Sequence, residues 1–585
     1  MDRFWLPRVG GSSLLSYGSA AVVSIAALLK LQEQATNYFG SETHCFKSVR
    51  TNWDDIPTAN CFTVSPKGII TNVYAVDDSK IGSGSEALSK GYAIPGLWDG
   101  HGHLLQYGEF LHSVDLFGTT SLDEARARVR EYADKNPQAG SKMEWITGVG
   151  WDQMAYGKMP MADDLSADEI LNGKFIALSR VDVHCIWVSQ AVLDLLPETI
   201  PDVPGGEIVR DPGMGVFCDN AMDIIMALWP KPSNEKKSTF IKSAMTSLNE
   251  LGIVGMHDAG VTPDNLALYQ SLASGNDWTV RVYAMVECFK RNTFCADEVE
   301  RHVRADGRLS IQSVKLFGDG ALGSWGSAMI DPYSDRPDTS GSLLVNATEL
   351  TYLATAWSRR GFQVNIHAIG DLANRYAVDA MTVALRLLCP DLTQPLSLCQ
   401  AKHRFRIEHS QIIHPADQDR IHAVGIIPSI QPTHATSDMA YAELRLGHER
   451  TAAEAYRMRS LLDLNPVLGS DFPVEPADPF QGLYAAITRK SPHTGQAPEG
   501  FPDGWYAEET LDLDQAVRGF TLGPAYGGFM EGRAGVIRPG AFADWVVIDR
   551  PLEAIESVEE LRAFKVRETW VGGKRVFKRE LRVAP

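Results

Sequence analysis

The sequence predicts an α/β fold, a (β/α)8 TIM-like barrel with a small β-sandwich domain built from both chain ends and an N-terminal hydrophobic helix. Short apolar runs bounded by glycine or proline recur along the middle of the chain, and such runs are typical of buried strands. Amphipathic, helix-like segments such as Asp371–Leu388 lie between several of these runs. Strands that alternate with helices pair in parallel, which predicts the barrel.

The eight barrel strands are located by the polar residues near which they end. In chain order these residues are His103, Asp258, Glu287, Lys315, His367, His409, Gln431 and Asp471. The stretch 104–250 is too long for one crossover, so we predict an insertion subdomain there. It has its own strand-like segments, Trp145–Trp151 and Phe175–His184.

Both chain ends contain β-like segments. Residues 61–96 contain short strands, and residues 542–549 and 568–577 have the same character. The last segment is typical of a hairpin that turns across Gly572 and Gly573. We expect the two ends to form one small sheet domain, and two unrelated edge extensions are the alternative.

The domain boundaries follow changes in composition along the chain. We assign residues 1–35 to a hydrophobic signal anchor and 36–96 to a linker with the first part of the β-sandwich. Residues 97–533 form the barrel, including the insertion at 104–250, and residues 534–585 form the second part of the sandwich.

Size and composition indicate a globular protein with a large core. The chain has 585 residues, of which 44% are apolar and 22% are charged. The formal net charge is −18, and the sequence has no basic stripe with interleaved aromatic residues. These features exclude a nucleic-acid partner. The oligomeric state stays open, with a homodimer as one option.

An apolar stretch near the N-terminus predicts a membrane partner. No charged residue occurs from Val9 to Leu29, while Arg3 and Arg8 precede this stretch and Lys30 ends it. About 20 uncharged residues can just span a bilayer. The upstream arginines would leave the rest of the chain on the lumenal or extracellular side, in the endoplasmic reticulum or secretory pathway. A cleaved signal peptide of a secreted protein, or a peripheral helix, are the alternatives.

The eight cysteines are even in number, and six of them are close partners in sequence. Loops of this kind can be closed by disulfides, although buried free thiols are the alternative. The close partners are Cys45 with Cys61, Cys288 with Cys295, and Cys389 with Cys399, which leaves Cys185 and Cys218.

Side chains that can bind metal stand at the ends of the predicted strands. The carboxyl ends of barrel strands converge on one face, where active sites of such barrels lie. His101 and His103 are two residues apart, so on a strand they project from the same face, roughly 6.7 Å apart, and can reach one metal ion. The fragments that contain the candidate residues are 100–103, 313–320, 364–371, 405–410 and 467–473.

In these fragments the sequence resembles the amidohydrolase superfamily, and within it the amidohydrolase-3, or YtcJ-like, branch. The resemblance extends from about residue 90 to 550. It implies that His101 and His103 bind the more buried of two divalent metal ions, most simply Zn²⁺. It implies further that Lys315, carboxylated by CO₂, bridges the two ions.

The same resemblance gives the remaining roles. His367 and His409 would hold the second ion, and Asp471 would contact the metal site and transfer the proton. The resemblance thus implies that Lys315 and Asp471 are both metal ligands and catalytic residues. A buried lysine has a lowered pKa and can be neutral, which its reaction with CO₂ requires. Bridged divalent ions lower the pKa of water to about 7, so that it can attack at neutral pH.

Residues around the expected pocket are candidates for substrate binding. His184 lies in a segment that resembles the branch's Arg-x-Asp-Gly-His motif, although Val183 replaces the glycine. Asp319 matches a Phe-x-Asp-Gly turn, for which we expect substrate contact or loop shaping. The branch commonly has an arginine at the position of Trp325. A contact between that arginine and an anionic substrate therefore cannot be carried over to this sequence. The other candidates are Gln431 and His434 at the pocket mouth, and Trp151 in the insertion.

Three further polar residues receive supporting roles. Asp99 and Glu408 are next to or near ligand candidates and could orient their imidazoles, with exposed or core-capping positions as the alternative. His257 ends the second strand, where we expect a structural histidine rather than a ligand.

The sequence therefore predicts a metal-dependent amidohydrolase that acts on a small molecule. We expect it to cleave a carbon–nitrogen bond that is not a peptide bond, in a non-peptide amide, N-acyl compound or cyclic amide. An ester, lactone or dipeptide hydrolase that uses the same site is the first alternative. A catalytically silent barrel scaffold, or a metal-storage or sensing protein, are the others.

Overall fold

The computed structural model of the protein describes residues 40–75 and 91–580. Its largest sheet is a nearly closed barrel of eight parallel strands, as the sequence predicts. We number them barrel strands one to eight in chain order: Leu97–Gly102, Ile253–Val261, Arg281–Val286, Leu309–Phe317, Gln363–Ala368, Arg406–His409, Ile427–Ile430 and Val467–Leu468. Each predicted strand end lies within three residues of the observed end.

The barrel closes between its first and last strands. Gly102 and Phe472 form a parallel bridge, and His103 N donates to Phe472 O at 2.9 Å. One further short strand, His302–Val303, pairs antiparallel with barrel strand four. Most residues of the barrel strands are buried, as expected for parallel strands that are covered on both faces.

Helices cover the outside of the barrel and follow its strands. The amphipathic helix predicted at Asp371–Leu388 is observed with these bounds. Several helices have proline at their first position, where the missing N–H costs nothing. The other helices of this part are Pro263–Leu272, Ala347–Arg359, Leu396–His403, Pro415–Val424, Pro432–Asp438, Ala442–Leu446, His448–Glu454, Pro479–Thr488, Leu513–Gly519 and Leu522–Gly527, with short 3-10 helices at Leu462–Leu464 and Ala507–Glu509.

The insertion between barrel strands one and two contains its own six-stranded sheet. Its strands are Val114–Asp115, Ile146–Trp151, Ile176–Arg180, Cys185–Val188, Gly206–Val209 and Val216–Asp219. The second predicted strand, Phe175–His184, ends earlier than expected because residues 181–184 form the turn into an antiparallel partner. The helices of this region are Leu104–Phe110, Leu122–Lys135, Gln153–Tyr156, Ala162–Ser166, Gln190–Leu193, Met222–Met226 and Asn234–Glu250.

A third sheet, of seven strands, combines both ends of the described chain. Strand Tyr92–Pro95 pairs with Trp545–Ile548, which joins the early strands to the late ones. The predicted hairpin turns at Gly572 and Gly573, both of which have positive φ angles, as a tight two-residue turn requires. The other strands are Glu42–Arg50, Thr58–Val64, Ile70–Tyr74, Val566–Val571 and Lys574–Lys578, with 3-10 helices at Leu552–Ala554 and Val558–Ala563. The exact domain limits remain a prediction.

All eight cysteines form disulfides, so the alternative of buried free thiols is wrong. The three pairs that are close in sequence are present, and the two remaining cysteines pair with each other. The bonds are Cys45–Cys61, Cys185–Cys218, Cys288–Cys295 and Cys389–Cys399.

The predicted membrane localisation is contradicted. Across residues 40–75 and 91–580, no helix combines the length and the apolar character needed to cross a bilayer. The prediction of a single-pass membrane protein with a membrane partner is therefore withdrawn. The hydrophobic helix and signal anchor at residues 1–35 lie outside the described residues.

Candidate active site

The two histidines of barrel strand one lie where this strand packs against strand eight. A Cβ atom at Gly100 would come within 2.6 Å of Leu468 O, and one at Gly102 within 2.5 Å of the Phe472 ring. Only glycine therefore fits at the positions that alternate with His101 and His103. The Gly-His-Gly-His sequence thus combines a close contact between strands with two candidate metal ligands on one face.

His101 is held by a buried carboxylate of barrel strand six. Its Nδ1 lies 2.5 Å from Glu408 Oε2, and its Nε2 lies 3.2 Å from Lys315 Nζ. Arg406 Nη2 donates to Glu408 Oε2 at 3.0 Å, to Gly100 O and to Ser429 Oγ. Because Glu408 is an acceptor, His101 donates through Nδ1–H and presents the lone pair of Nε2 to the barrel mouth.

Asp471 lies among the same residues. Its Oδ1 is 3.0 Å from His103 Nε2 and 3.5 Å from His101 Nε2. The backbone N–H of Asp471 donates to His101 O at 2.7 Å, which fixes strand eight against strand one. Asp471 has a φ of 64°, in the left-handed region that only a well-supported site tolerates. The Asp99 carboxylate accepts from the N–H and Oγ–H of Ser470 and from His101 N, so it supports this junction rather than an imidazole.

His409 and His367 complete the cluster from barrel strands six and five. The two ring centroids are 4.4 Å apart, and that of His409 is 4.8 Å from that of His101. His409 Nδ1 donates to Gln431 Oε1 at 3.0 Å, which leaves Nε2 as a lone-pair donor. His409 has a φ of 74°, a second left-handed residue at the end of a strand.

The six predicted residues thus converge at one end of the barrel. Within the described part of the chain, ligand atoms of His101, His409 and Asp471 all lie within 4.8 Å of one another. His103, Lys315 and His367 join these three through the distances given above. A second group, Cys389, Cys399 and His403, is not a comparable site because its two cysteines form a disulfide.

The charges in the cluster suit metal ligands. Burial, followed by the charge of Lys315, lowers the pKa of His101 to about 4. Burial likewise holds the pKa values of His367 and His409 well below 6.5, so these imidazoles are neutral. For Asp471, burial raises the pKa, but the neighbouring His101 and His103 more than offset this and keep it below its ordinary value. Neutral imidazoles with an ionised carboxylate are the donor types that divalent ions bind.

Buried nitrogen atoms without a hydrogen-bond partner show whether these residues are suited to bind a metal ion. His367 Nε2 and His434 Nε2 are buried, and neither has a hydrogen-bond partner among the described residues. A buried polar atom without a partner costs about 1–3 kcal/mol. His367 Nε2 also lies 3.7 Å from Asp319 Oδ1, beyond hydrogen-bond distance. Since His367 is one of the converging histidines and His434 stacks on His409 beside them, the residues fit bound divalent ions.

Three of the predicted substrate-binding residues border the cluster. His184 lies 5.6 Å from His367 between ring centroids, and its Nδ1 bonds to Asp219 Oδ1 at 2.8 Å. His434 stacks on His409, with its Nε2 3.7 Å from Asp471 Oδ2. Gln431 is 2% exposed and positions His409, as described above.

The two remaining candidates, Asp319 and Trp151, are fully buried. Asp319 is fully buried, and its carboxylate accepts backbone N–H groups from Ala328, Ile369 and Gly370. It shapes these loops, which was the second of its two expected roles. Trp151 is also fully buried, in the core of the insertion, where its Nε1 donates to Leu178 O at 2.7 Å. We therefore no longer assign Trp151 to substrate binding.

Asp219 and Arg406 are functional-site neighbours that were not among the residues predicted from the sequence. Asp219 ends the strand Val216–Asp219 and has a φ of 50°. Its only signal in the sequence is that it is a polar residue at the end of an apolar run. Arg406 precedes Glu408 by two residues, so both project from one face of strand six. His257 is structural, as expected, since its Nδ1 accepts from Arg406 Nη1 at 2.5 Å.

Comparisons with known proteins show similarity to amidohydrolases and to metal-dependent hydrolases. The protein is 26% identical to YtcJ of Bacillus subtilis (strain 168), over 88% of this chain and 98% of the relative. It is 24% identical to the N-substituted formamide deformylase of Arthrobacter pascens, over 82% and 87% of the two chains. An uncharacterized metal-dependent hydrolase from Pyrococcus horikoshii OT3 has the same fold, with a TM-score of 0.69 at 24% identity, over 88% of this chain and 99% of that one.

The family match covers most of the sequence. The sequence model of the amidohydrolase family matches residues 87–577, which include the barrel, the insertion and strands of the third sheet. The resemblance found in the metal-binding fragments is thereby confirmed, and the chain belongs to the amidohydrolase family.

Proposed function

We propose that the protein is a metal-dependent hydrolase that cleaves a carbon–nitrogen bond of a non-peptide amide, N-acyl compound or cyclic amide. The observation that carries this proposal is the convergence of four histidines, Lys315 and Asp471 at one end of the barrel. The name of the Arthrobacter pascens relative, an N-substituted formamide deformylase, supports carbon–nitrogen cleavage over ester cleavage.

The ligands would serve two divalent ions, with Zn²⁺ favoured by the nitrogen and oxygen donors. His101 and His103 would hold one ion, and His367 and His409 the other. When bound, such ions lower the pKa of water and polarise a carbonyl group. Glu408 and Gln431 would fix the tautomers of His101 and His409 so that each Nε2 is free to bind.

Lys315 would bridge the ions as a carbamate. The side chain is buried, and burial lowers the pKa of its ammonium group, although Glu408 and Asp471 oppose this shift. A lowered pKa increases the neutral fraction of the amine, which is the form that reacts with CO₂. The product is an anion with two oxygen atoms, whereas an unmodified lysine cation cannot be a ligand.

Asp471 would transfer the proton during hydrolysis. Its carboxylate would accept a proton from the attacking water as the water oxygen bonds to the carbonyl carbon. It would then return this proton to the leaving nitrogen as the carbon–nitrogen bond breaks. Its lowered pKa keeps the carboxylate ionised before the reaction. His184 and His434 border the cluster and would contact the substrate.

Metal analysis and a matched substrate panel test the proposal. We expect the purified protein to contain one to two zinc-like ions per chain and to hydrolyse amides in preference to the corresponding esters. Asp471→Asn should lower kcat by about 10²–10⁴-fold, while Asp503→Asn, at an exposed site, should leave it unchanged. Less than about one ion per chain would favour a silent scaffold, and cleavage of esters alone would favour the ester hydrolase.

A further inference from the structure

A disulfide-closed loop holds Arg291 at the mouth of the barrel. The loop follows barrel strand three directly, and the Cys288–Cys295 bond closes it. The Arg291 guanidinium carbon lies 4.8 Å from the centroid of the Phe317 ring, at the end of barrel strand four. This is a cation–π contact, which the flat guanidinium group favours.

The loop is tied to strand four by two hydrogen bonds. Asn292 Nδ2 donates to Phe317 O at 2.8 Å, and Phe317 N donates to Asn292 Oδ1 at 2.9 Å. Asn292 itself has a φ of 54°, a turn conformation that asparagine tolerates. The position of Arg291 is therefore set by covalent and hydrogen-bonded contacts on both sides.

Phe317 separates Arg291 from the metal-binding cluster by one ring. The Phe317 centroid is 5.7 Å from that of His367 and 5.1 Å from Lys315 Nζ. Burial lowers the pKa of His184, but Asp219 more than offsets this and raises it above its ordinary value, and the charge of Arg291 opposes that rise. The guanidinium group and the cluster thus both pack against the Phe317 ring, so a small molecule at the cluster would meet Arg291 only through a part that extends past this ring.

The hydrogen-bond donors of the partly exposed Arg291 are largely unused, unlike those of the buried arginines. Arg180 pairs with Asp152 and Asp182, Arg406 with Glu408, and Arg445 with Asp335. Arg291 has only Glu287, whose Oε1 is 3.8 Å from Nε, and Nε is buried without a hydrogen-bond partner among the described residues. Its side chain is 20% exposed, so a ligand can reach it.

We propose that Arg291 determines specificity by binding an anionic group of the substrate, a carboxylate next to the scissile amide. This inference rests on the proposed carbon–nitrogen hydrolysis and narrows its substrates to acids such as N-acyl amino acids. A guanidinium group binds a carboxylate through two parallel hydrogen bonds, which selects it over a neutral amide.

Paired substrates with and without the negative charge provide the test. We would measure kcat/KM of the zinc-loaded protein for N-formyl and N-acetyl amino acids and for their carboxamides. Arg291→Gln should lower kcat/KM for the acids by about 10- to 100-fold and for the carboxamides by less than about twofold. Lys290→Gln removes the same charge from an exposed neighbour in the loop and should change neither series.

Binding to the Asp471→Asn variant separates this inference from the proposed function. In this variant we would measure the affinity for N-acetylphenylalanine and its carboxamide, with and without Arg291→Gln. Affinity for the acid that depends on Arg291, without turnover in the wild type, would support the anion site and refute the hydrolysis. Turnover of amides with no Arg291-dependent preference for the acid would overturn the inference alone. Equal losses for both series would overturn it as well, because they would identify Arg291 as a structural partner of Glu287.

Discussion

Glu408 Oε2 lies 2.5 Å from Nδ1 of His101, and both side chains are fully buried. Burial raises the pKa of the Glu408 carboxyl, but Arg406, His101 and Lys315 together lower it well below its ordinary value. The carboxylate is therefore ionised and accepts from both Arg406 and His101. This pair connects the framework of the barrel to the histidine that is central to the candidate metal site.

We predict that Glu408→Gln weakens metal binding by about 10- to 100-fold, the usual cost of losing a partner of a metal-binding histidine. The amide can still accept from His101, but it no longer balances the buried charge of Arg406. Removing one member of a buried pair costs about 3–5 kcal/mol, so the free energy of unfolding should fall too. Competition with a chelator measures the affinity, and Glu499→Gln, at an exposed site, is the control. Unchanged affinity would show that Glu408 does not support His101.

We predict that Lys315→Ala abolishes the binding of two ions, because the bridging anion is lost. Short carboxylic acids such as formate or acetate should restore part of the activity, since they can occupy the space of the missing carbamate. Metal content and kcat, measured with and without added acid, check both parts. Lys290→Ala, at an exposed lysine, should behave as wild type. Full activity in Lys315→Ala without added acid would refute the bridging role.

Much of the barrel could be predicted because its strands have a strong local signal. Buried parallel strands are short, continuous apolar runs, and each of them ends in a polar residue at the same edge of the sheet. His101, Lys315 and Asp471 are 214 and 156 positions apart, yet they meet because all three follow this rule. A pattern that repeats with every strand can be found without knowledge of the tertiary contacts.

The parts that could not be predicted depend on contacts between distant loops. Trp151 is a substrate-binding candidate by sequence, but only the tertiary structure shows that it packs in the core of the insertion. Asp219 reaches His184 because two antiparallel strands of the insertion align in register. Arg291 has no motif, and its place over Phe317 results from the disulfide and from Asn292. The register of strand pairing and the closure of a loop produce no periodic pattern in the sequence, so they cannot be predicted from it.

The Cys185–Cys218 disulfide joins the strands that present His184 and Asp219. The cysteines are direct neighbours in register, and Asp219 N donates to His184 O at 2.9 Å next to them. We predict that Cys185→Ala with Cys218→Ala raises KM several-fold, because the His184–Asp219 pair loses its support at the edge of the cluster. Loss of the 33-residue cross-link should also lower the free energy of unfolding by about 2–4 kcal/mol.

Cys389→Ala with Cys399→Ala is the matched control for this pair. That bond follows the helix Asp371–Leu388 on the outside of the barrel, so its loss should reduce stability while KM stays the same. Steady-state kinetics with thermal unfolding of both variants separate the two effects. Equal changes of KM in the two double variants would show that the Cys185–Cys218 bond has no special role at the site.

Glu454 is expected to make stability depend on pH. It ends the helix His448–Glu454 and is 7% exposed, and burial followed by the charge of Asp371 raises its pKa from 4.5 to about 7. Between these values the folded carboxyl stays protonated while the unfolded one has lost its proton, so the folded state binds more protons. Stability must then fall as the pH rises through this window, and the loss is complete above about 7.

We predict that Glu454→Gln removes this part of the pH dependence, because the amide does not titrate. The difference in Tm between variant and wild type should grow in favour of the variant from about pH 5 to about pH 8, since only the wild type is progressively destabilised. Thermal unfolding at a series of pH values measures this difference. Glu449→Gln lies on the same helix at an exposed site, so its Tm should follow that of the wild type throughout. A constant difference between Glu454→Gln and the wild type would mean that Glu454 ionises normally in the folded protein.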